Sequence, residues 1–468
     1  MADNGDRKRR YIGYMNEGPK EDQWYVRSVA TLLCAASLMS AALWNGYPIV
    51  YSDTASYIIS GFHLETLIDR PITYGLFIRA CSFNGWSLWT VALAQSMILA
   101  HVMGLALKTI GIDRSFLRAG IIVPTALFTG LPFVCGQIIT DVFTPILLFT
   151  LYLLLFPKSG SRRRQITLLA LFLLAFAMHM SHLAITAATL LATVVMRRPM
   201  KRWGMRVVTW PSLGIMTLLA LMGTLVMGTA LAKSKHTFFA ARMAEAGILQ
   251  RYLDEHCGSG AYKLCARLGR IPQDANAFLW DADTPLNVYS NRQEMEEELG
   301  RIQNGSFTEA PLLWMHLKAA CSSIGRQFTR FAVGDGNGDF HAGTVLHERI
   351  DMFFPSELDQ FETARQMRPD SFHGPLMFAN RGYIMVMSFS LVVVLIMTFM
   401  LRMCSPSSLA LIWFLLFGLI LNVCINAGLV MVADRFGTKT AWLLPFAAIA
   451  SAVSAFNDRR TISAPIQI

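Results

Sequence analysis

The sequence predicts a mainly α-helical, polytopic membrane protein, a bundle of about ten transmembrane helices with one domain on the outer side. Three observations predict it. Hydrophobic residues make up 54% of the 468 and charged residues only 15%, and soluble domains carry about 25% charge, so a water-facing surface could not be covered. The apolar residues come in blocks of about 20, the length that crosses a bilayer core. Clusters of Lys and Arg recur at every second block boundary, the pattern left by retention of basic loops in the cytoplasm.

Spans are predicted at 27–47, 86–107, 117–137, 142–157, 166–180, 182–197, 207–232, 380–402, 407–429 and 438–456. The pair 166–180 and 182–197 reads as two helices breaking at His179-Met180-Ser181-His182, because that break keeps the charges on the correct side. Six basic clusters then share one side: Arg7-Lys8-Arg9-Arg10, Lys108 with Arg114 and Arg118, Lys158 with Arg162-Arg163-Arg164, Arg197-Arg198 with Lys201, Arg202 and Arg206, Arg402, and Arg459-Arg460. Both termini are therefore expected in the cytoplasm. Residues 1–26 form a polar tail before a signal anchor rather than a cleaved leader. An N-terminal transmembrane module follows at 27–232 with its first outer loop at 48–85, then the outer domain at 233–378, C-terminal helices at 379–456 and a tail at 457–468.

Charge is distributed to match. Segment 233–378 holds 15 Lys and Arg against 19 Asp and Glu, net −4, so the remainder carries +14 of the chain's overall +10. The basic balance is thus membrane topology, and no basic face interleaved with aromatics marks a nucleic-acid partner. Within the segment Cys257 and Cys265 flank a Gly-containing loop; they form either a disulfide, if that side is oxidising as in a bacterial periplasm, or two free thiols. The sequence has no internal repeat, Walker loop, GxSxG elbow or HExxH.

Polar residues gather instead at the outer membrane face. The first outer loop contains Tyr51-Ser52-Asp53-Thr54-Ala55-Ser56-Tyr57 and Asp69-Arg70-Pro71-Ile72-Thr73-Tyr74. The second outer turn carries Asp141, and the third His179 and His182. A carboxylate at a membrane boundary must be solvated, paired or used; Asp53 and Asp141 suit helix N-caps as well as catalysis, and the histidines suit ordinary interfacial positions, substrate contact or a metal site shared with the two acids. Arg70, Arg381, Arg435 and Lys439 are cations on the outer side, fitted either to lipid headgroups or to a substrate phosphate or diphosphate.

An acid near the start of the first outer loop followed by a Tyr (Asp53, Tyr57), a second acid between the third and fourth spans (Asp141), many spans and a late extracytoplasmic domain together resemble the GT-C superfamily, integral-membrane glycosyltransferases that take sugar from a polyprenyl-phosphate carrier. The likeness is one of layout across most of the chain, with motifs in two short segments. SDTASY stands where the protein mannosyltransferase and aminoarabinose transferase branches have paired acids, and the large domain precedes only three spans, so neither donor nor acceptor carries over.

The resemblance implies that Asp53 deprotonates an acceptor hydroxyl, while Asp141 with His179 and His182 positions the acceptor or holds Mg or Mn. Arg70, Arg381, Arg435 and Lys439 would neutralise the lipid phosphate, Tyr57 and Tyr74 would contact substrate, and the outer domain would roof the site, with Trp280 either stacked on a sugar or packed in that domain's core. Membrane lipid, a polyprenyl-phosphate-linked sugar and a glycan, lipid or protein acceptor are the implied partners, at the bacterial inner (plasma) membrane. A polysaccharide polymerase or ligase, a non-catalytic export or assembly component, and a lipid or solute transporter remain as other classes.

Overall fold

The computed structural model describes residues 23–67, 70–158, 160–399 and 405–462, with side chains except at 226–235, 259 and 457–462. Arg7 to Arg10, most of the 1–26 tail, Asp69, Arg402, the side chains of Arg459 and Arg460 and the chain beyond 462 lie outside the described residues. Helix accounts for 78% of the structure, and no strand occurs among the described residues. Five helical stretches are long and apolar enough to cross a membrane: Leu88–Thr109, Ser181–Arg202, Pro369–Phe399, Pro406–Leu429 and Asp434–Phe456.

Phe143–Leu155 is apolar on every face, and a helix of that kind belongs at the centre of a bundle. It is buried almost throughout and packs against Leu88–Thr109, Arg162–Ala177 and Pro406–Leu429. Between apolar helices in lipid, close packing and interhelical hydrogen bonds supply the association energy. Thr109 and Tyr152 hydroxyls meet at 2.8 Å, as do those of Ser408 and Ser454. Asn422 Nδ2 donates to Phe436 O at 2.7 Å and to Thr440 Oγ1 at 3.0 Å, fastening the short Asp434–Ala441 helix to Pro406–Leu429.

Several expected spans are broken or extended. Residues 27–47 form Trp24–Leu38 and Ser40–Asn45, the second ended by Gly46 at φ 85°. Residues 117–137 form Ser115–Leu127, with Pro124 near its end, and Leu131–Gly136, which starts with Pro132 in its first turn. The His179-Met180 break does separate Arg162–Ala177 from Ser181–Arg202. By contrast, Trp210–Glu245 and Pro369–Phe399 run unbroken through the expected domain edges at 232 and 378. Polarity changes there but helix-forming residues continue, so the helix does too.

A second, separate core lies between the C-terminal end of Trp210–Glu245 and Ala310–Gln327, built on Leu249, Leu253, Phe278, Leu299 and Ile302. Cys257 and Cys265 are joined by a disulfide at its edge, with Cα atoms 5.6 Å apart. Buried Glu298 accepts the N–H groups of Lys263 and Leu264 and the Tyr289 hydroxyl, satisfying its carboxylate without a cation.

Two backbone segments set the geometry of the polar end of the bundle. Ile49 and Gln137 pair in an isolated parallel bridge, with Ile49 N–H to Gly136 O at 2.9 Å and Ile138 N–H to Ile49 O at 2.8 Å. The turns that carry Asp53 and Asp141 are thereby laid side by side.

Candidate functional site

Asp53 stands in the first turn of the helix Ser52–His63, where the positive end of the helix dipole favours a carboxylate. It is not the cap. Tyr51 occupies that position, and the Thr54 hydroxyl accepts from Tyr51 N–H at 2.9 Å while donating to Ile138 O at 2.8 Å. The helix is locked to its neighbour by glycine on glycine, since a Cβ at Gly61 would lie 2.1 Å from Gly75 O. That contact seats Thr73–Cys81 and the preceding Arg70 next to Asp53.

Asp141 lies in the 3-10 turn Thr140–Val142 that opens into Phe143–Leu155, and its side chain is 3% exposed. The third element is Asp434–Ala441. A Cβ at Gly437 would come within 1.9 Å of Arg330 O, so glycine lets this helix press against the 330–333 backbone and present Arg435 and Lys439 inward.

These elements bring Asp53, Asp141, Arg70, Arg435 and Lys439 together. Arg435 bridges the two acids, with Nε 2.8 Å from Asp141 Oδ2 and Nη1 3.1 Å from Asp53 Oδ2. Arg70 Nη1 is 3.0 Å from the other Asp53 oxygen. Each guanidinium also rests on an aromatic face, Arg435 over Tyr51 at 4.6 Å and Arg70 over Tyr57 at 5.2 Å. Burial acts to raise the Asp53 pKa, but Arg70 and then Arg435 outweigh it and hold the carboxyl below its usual range. Lys439 is wholly buried; its Nζ lies 3.9 Å from Asp141 Oδ1, and neither atom has a hydrogen-bond partner among the described residues. Both line a small cavity of about 20 Å³ with Gln137, Asp335, Asn337 and Thr438, room for about one water molecule.

Not every expected residue joins the cluster. Arg381 stays exposed on Pro369–Phe399 and makes no ion pair among the described residues; its place in the helix turns it out while its neighbour Asn380 turns in. Tyr57 is buried beneath Arg70, its hydroxyl 3.5 Å from Thr140 Oγ1. Tyr74 is sealed below Tyr57 and donates to Gln95 Oε1 at 3.2 Å, so it supports the site from the core. His182 is fully buried between helices: its Nδ1 donates to Ala175 O at 2.6 Å, which leaves Nε2 to accept from Thr144 at 2.9 Å. His179 lies near enough for Lys439, Arg435 and Arg70 to act on it electrostatically, and its Nδ1 accepts from Ser181 N–H at 3.1 Å.

The proposed metal set of Asp53, Asp141, His179 and His182 does not fit. No three His, Cys, Asp or Glu side chains gather as ligands among the described residues, His182 has both nitrogens committed, and the acids face cations.

The roof of the site comes from residues 331–340, a stretch of the 233–378 segment whose residues the sequence did not single out. Ala332 N–H donates to Asp434 Oδ1 at 3.0 Å, Arg435 N–H to Asp335 Oδ2 at 3.4 Å, and Gln137 Nε2 to Asn337 Oδ1 at 2.8 Å. Asn380 holds this loop by both Val333 backbone groups. The signal that marks it is the glycine-rich run Gly334 to Gly338 with its interleaved polar residues. Trp280 is 63% exposed beside the second core. No family model, no curated protein and no solved structure matches this chain.

Proposed function

We propose that the chain is an integral-membrane glycosyltransferase of GT-C-like layout, moving a sugar from a polyprenyl-phosphate donor to a glycan, lipid or protein acceptor. In this reading it sits in a bacterial inner membrane with about ten spans, both termini in the cytoplasm, and the 233–378 segment and the acid cluster on the periplasmic side. One observation carries it: two acids and three cations from segments far apart in sequence converge at one end of an apolar bundle. A buried cluster of titratable side chains gathered from separate segments is a functional-site candidate.

Depth supports the same reading. From Asp141 to Leu155 the chain rises about 22 Å, short of the roughly 30 Å apolar core; in this reading the acids sit below the membrane surface and a lipid phosphate approaches them from the bilayer side. Asp53, the more exposed acid at 25% against 3% for Asp141, is the general base; Asp141 is a positioning residue for Arg435. Arg70, Arg435 and Lys439 stabilise charge developing on the leaving phosphate.

The deciding experiment is mass spectrometry of surface glycans and lipid carriers from cells with the gene, without it, and with Asp53→Asn. Loss of one glycan in the second and third strains, at normal membrane abundance of the variant, is the expected result. A glycan retained in the Asp53→Asn strain overturns the catalytic reading.

A further inference from the structure

Both oxygens of Asp53 are already engaged, Oδ1 by Arg70 at 3.0 Å and Oδ2 by Arg435 at 3.1 Å. A carboxylate neutralised by two guanidinium groups is a weak base. Resting on the function proposed above, we propose that the donor's phosphate displaces Asp53 from Arg70 and Arg435, so that Asp53 can take the acceptor proton only once the donor is bound.

The cluster is built for such an exchange. Arg435 has a second hold through Nε on buried Asp141 and a third through its ring contact with Tyr51, so it stays in place when Asp53 leaves. Arg70 keeps its seat over Tyr57. Asp53 lies on the accessible side and Asp141 behind, so an entering anion meets Asp53 first. Arg70, Arg435 and Lys439 stand against Asp53, Asp141 and Asp335, so the cluster is near charge balance and an entering phosphodiester gains cations by displacing a carboxylate. Asp335, Tyr51, Tyr57 and His179 are the other titratable groups facing the cluster.

The step balances. The acceptor oxygen bonds to the anomeric carbon, the bond from that carbon to the phosphate oxygen breaks with its electron pair going to phosphate, and the hydroxyl proton passes to the released Asp53. The departing phosphate gains a negative charge and holds the two arginines more firmly. Donor binding thus precedes acceptor activation.

The test uses the full chain in lipid nanodiscs and a methyl polyprenyl phosphodiester, which carries the donor's single charge and no sugar. Because Asp53 competes with phosphate for the same cations, Asp53→Asn should bind this probe tighter than wild type, by about tenfold, within the usual range of coupling between two ligands of one site. Equal or weaker binding by a folded Asp53→Asn protein overturns the exchange and leaves the transferase reading standing. Absence of probe binding by wild type sinks the transferase reading and this inference with it.

A measurement on wild type alone covers failure of the variant to fold. Titration calorimetry at about pH 4, in two buffers of different ionisation enthalpy, should show proton uptake on probe binding, as Asp53 regains ordinary basicity. Binding without proton uptake rejects the exchange.

Discussion

Lys439 Nζ and Asp141 Oδ1 face each other 3.9 Å apart, both buried and neither hydrogen-bonded among the described residues. A buried ammonium held at that distance gains little for its desolvation, which on the proposed function fits a role in ligand binding. Lys439→Met should leave the melting temperature of the purified protein unchanged or raised and should reduce transfer at least tenfold. A melting temperature lowered as far as that of Asp141→Asn would show that Lys439 is structural.

Asp141→Asn removes the anchor of Arg435 and leaves Lys439 buried without an anion. Breaking a buried pair from one side costs about 3–5 kcal/mol. The expected outcome is a clearly lower melting temperature together with lost transfer, read by thermal unfolding and product formation on the same preparation. Unchanged unfolding would mean that the Arg435 contact contributes nothing to the fold.

The sign of the pH dependence follows from Asp53. Its pKa is held below the usual value of about 3.9, so the stability from its pairs with Arg70 and Arg435 is fully present above that value and is lost as pH falls through the lowered one. Thermal unfolding of wild type and Asp53→Asn should therefore differ by a constant amount from pH 8 to pH 5, with the gap closing only below about pH 4. A gap that closes between pH 6 and pH 5 contradicts this assignment.

Backbone approach is tested at two glycines. A Cβ at Gly437 would meet Arg330 O at 1.9 Å and one at Gly61 would meet Gly75 O at 2.1 Å. Each change to Ala should cost about 1–3 kcal/mol, the usual range for overpacking, and should reduce transfer by displacing Arg435 or Asp53. Gly214→Ala, where a Cβ meets nothing within 4 Å, is the control. Wild-type transfer by Gly437→Ala would remove the Asp434–Ala441 helix from the site.

The Cys257–Cys265 bridge belongs to the second core and not to the acid cluster. Reduction followed by a membrane-impermeant maleimide on intact inner-membrane spheroplasts should label both thiols if that domain faces outward, and the double Ser variant should retain transfer at permissive temperature. Labelling only in inverted vesicles would reverse the orientation proposed above.

What the sequence alone determined is the helical character with apolar stretches long enough to cross a membrane, the break between His179 and Ser181, and the candidacy of Asp53, Asp141, Arg70, Arg435 and Lys439. Hydropathy is a property of consecutive residues, and an ionisable side chain beside an apolar block is conspicuous for its desolvation cost. Which of those residues meet was decided by tertiary structure. Arg435 reaches acids 294 and 382 positions away, and nothing local separates it from Arg381, which the same reasoning selected and the fold turns outward. His182 shows the converse, a polar residue at the predicted place whose two nitrogens are taken up by Ala175 and Thr144 across a helix interface. Loop 331–340 joins the site because Gly437 lets the Asp434–Ala441 helix lie against it and because Gln137 and Asn380 bind it, close approaches between chain segments that leave no periodic trace in sequence.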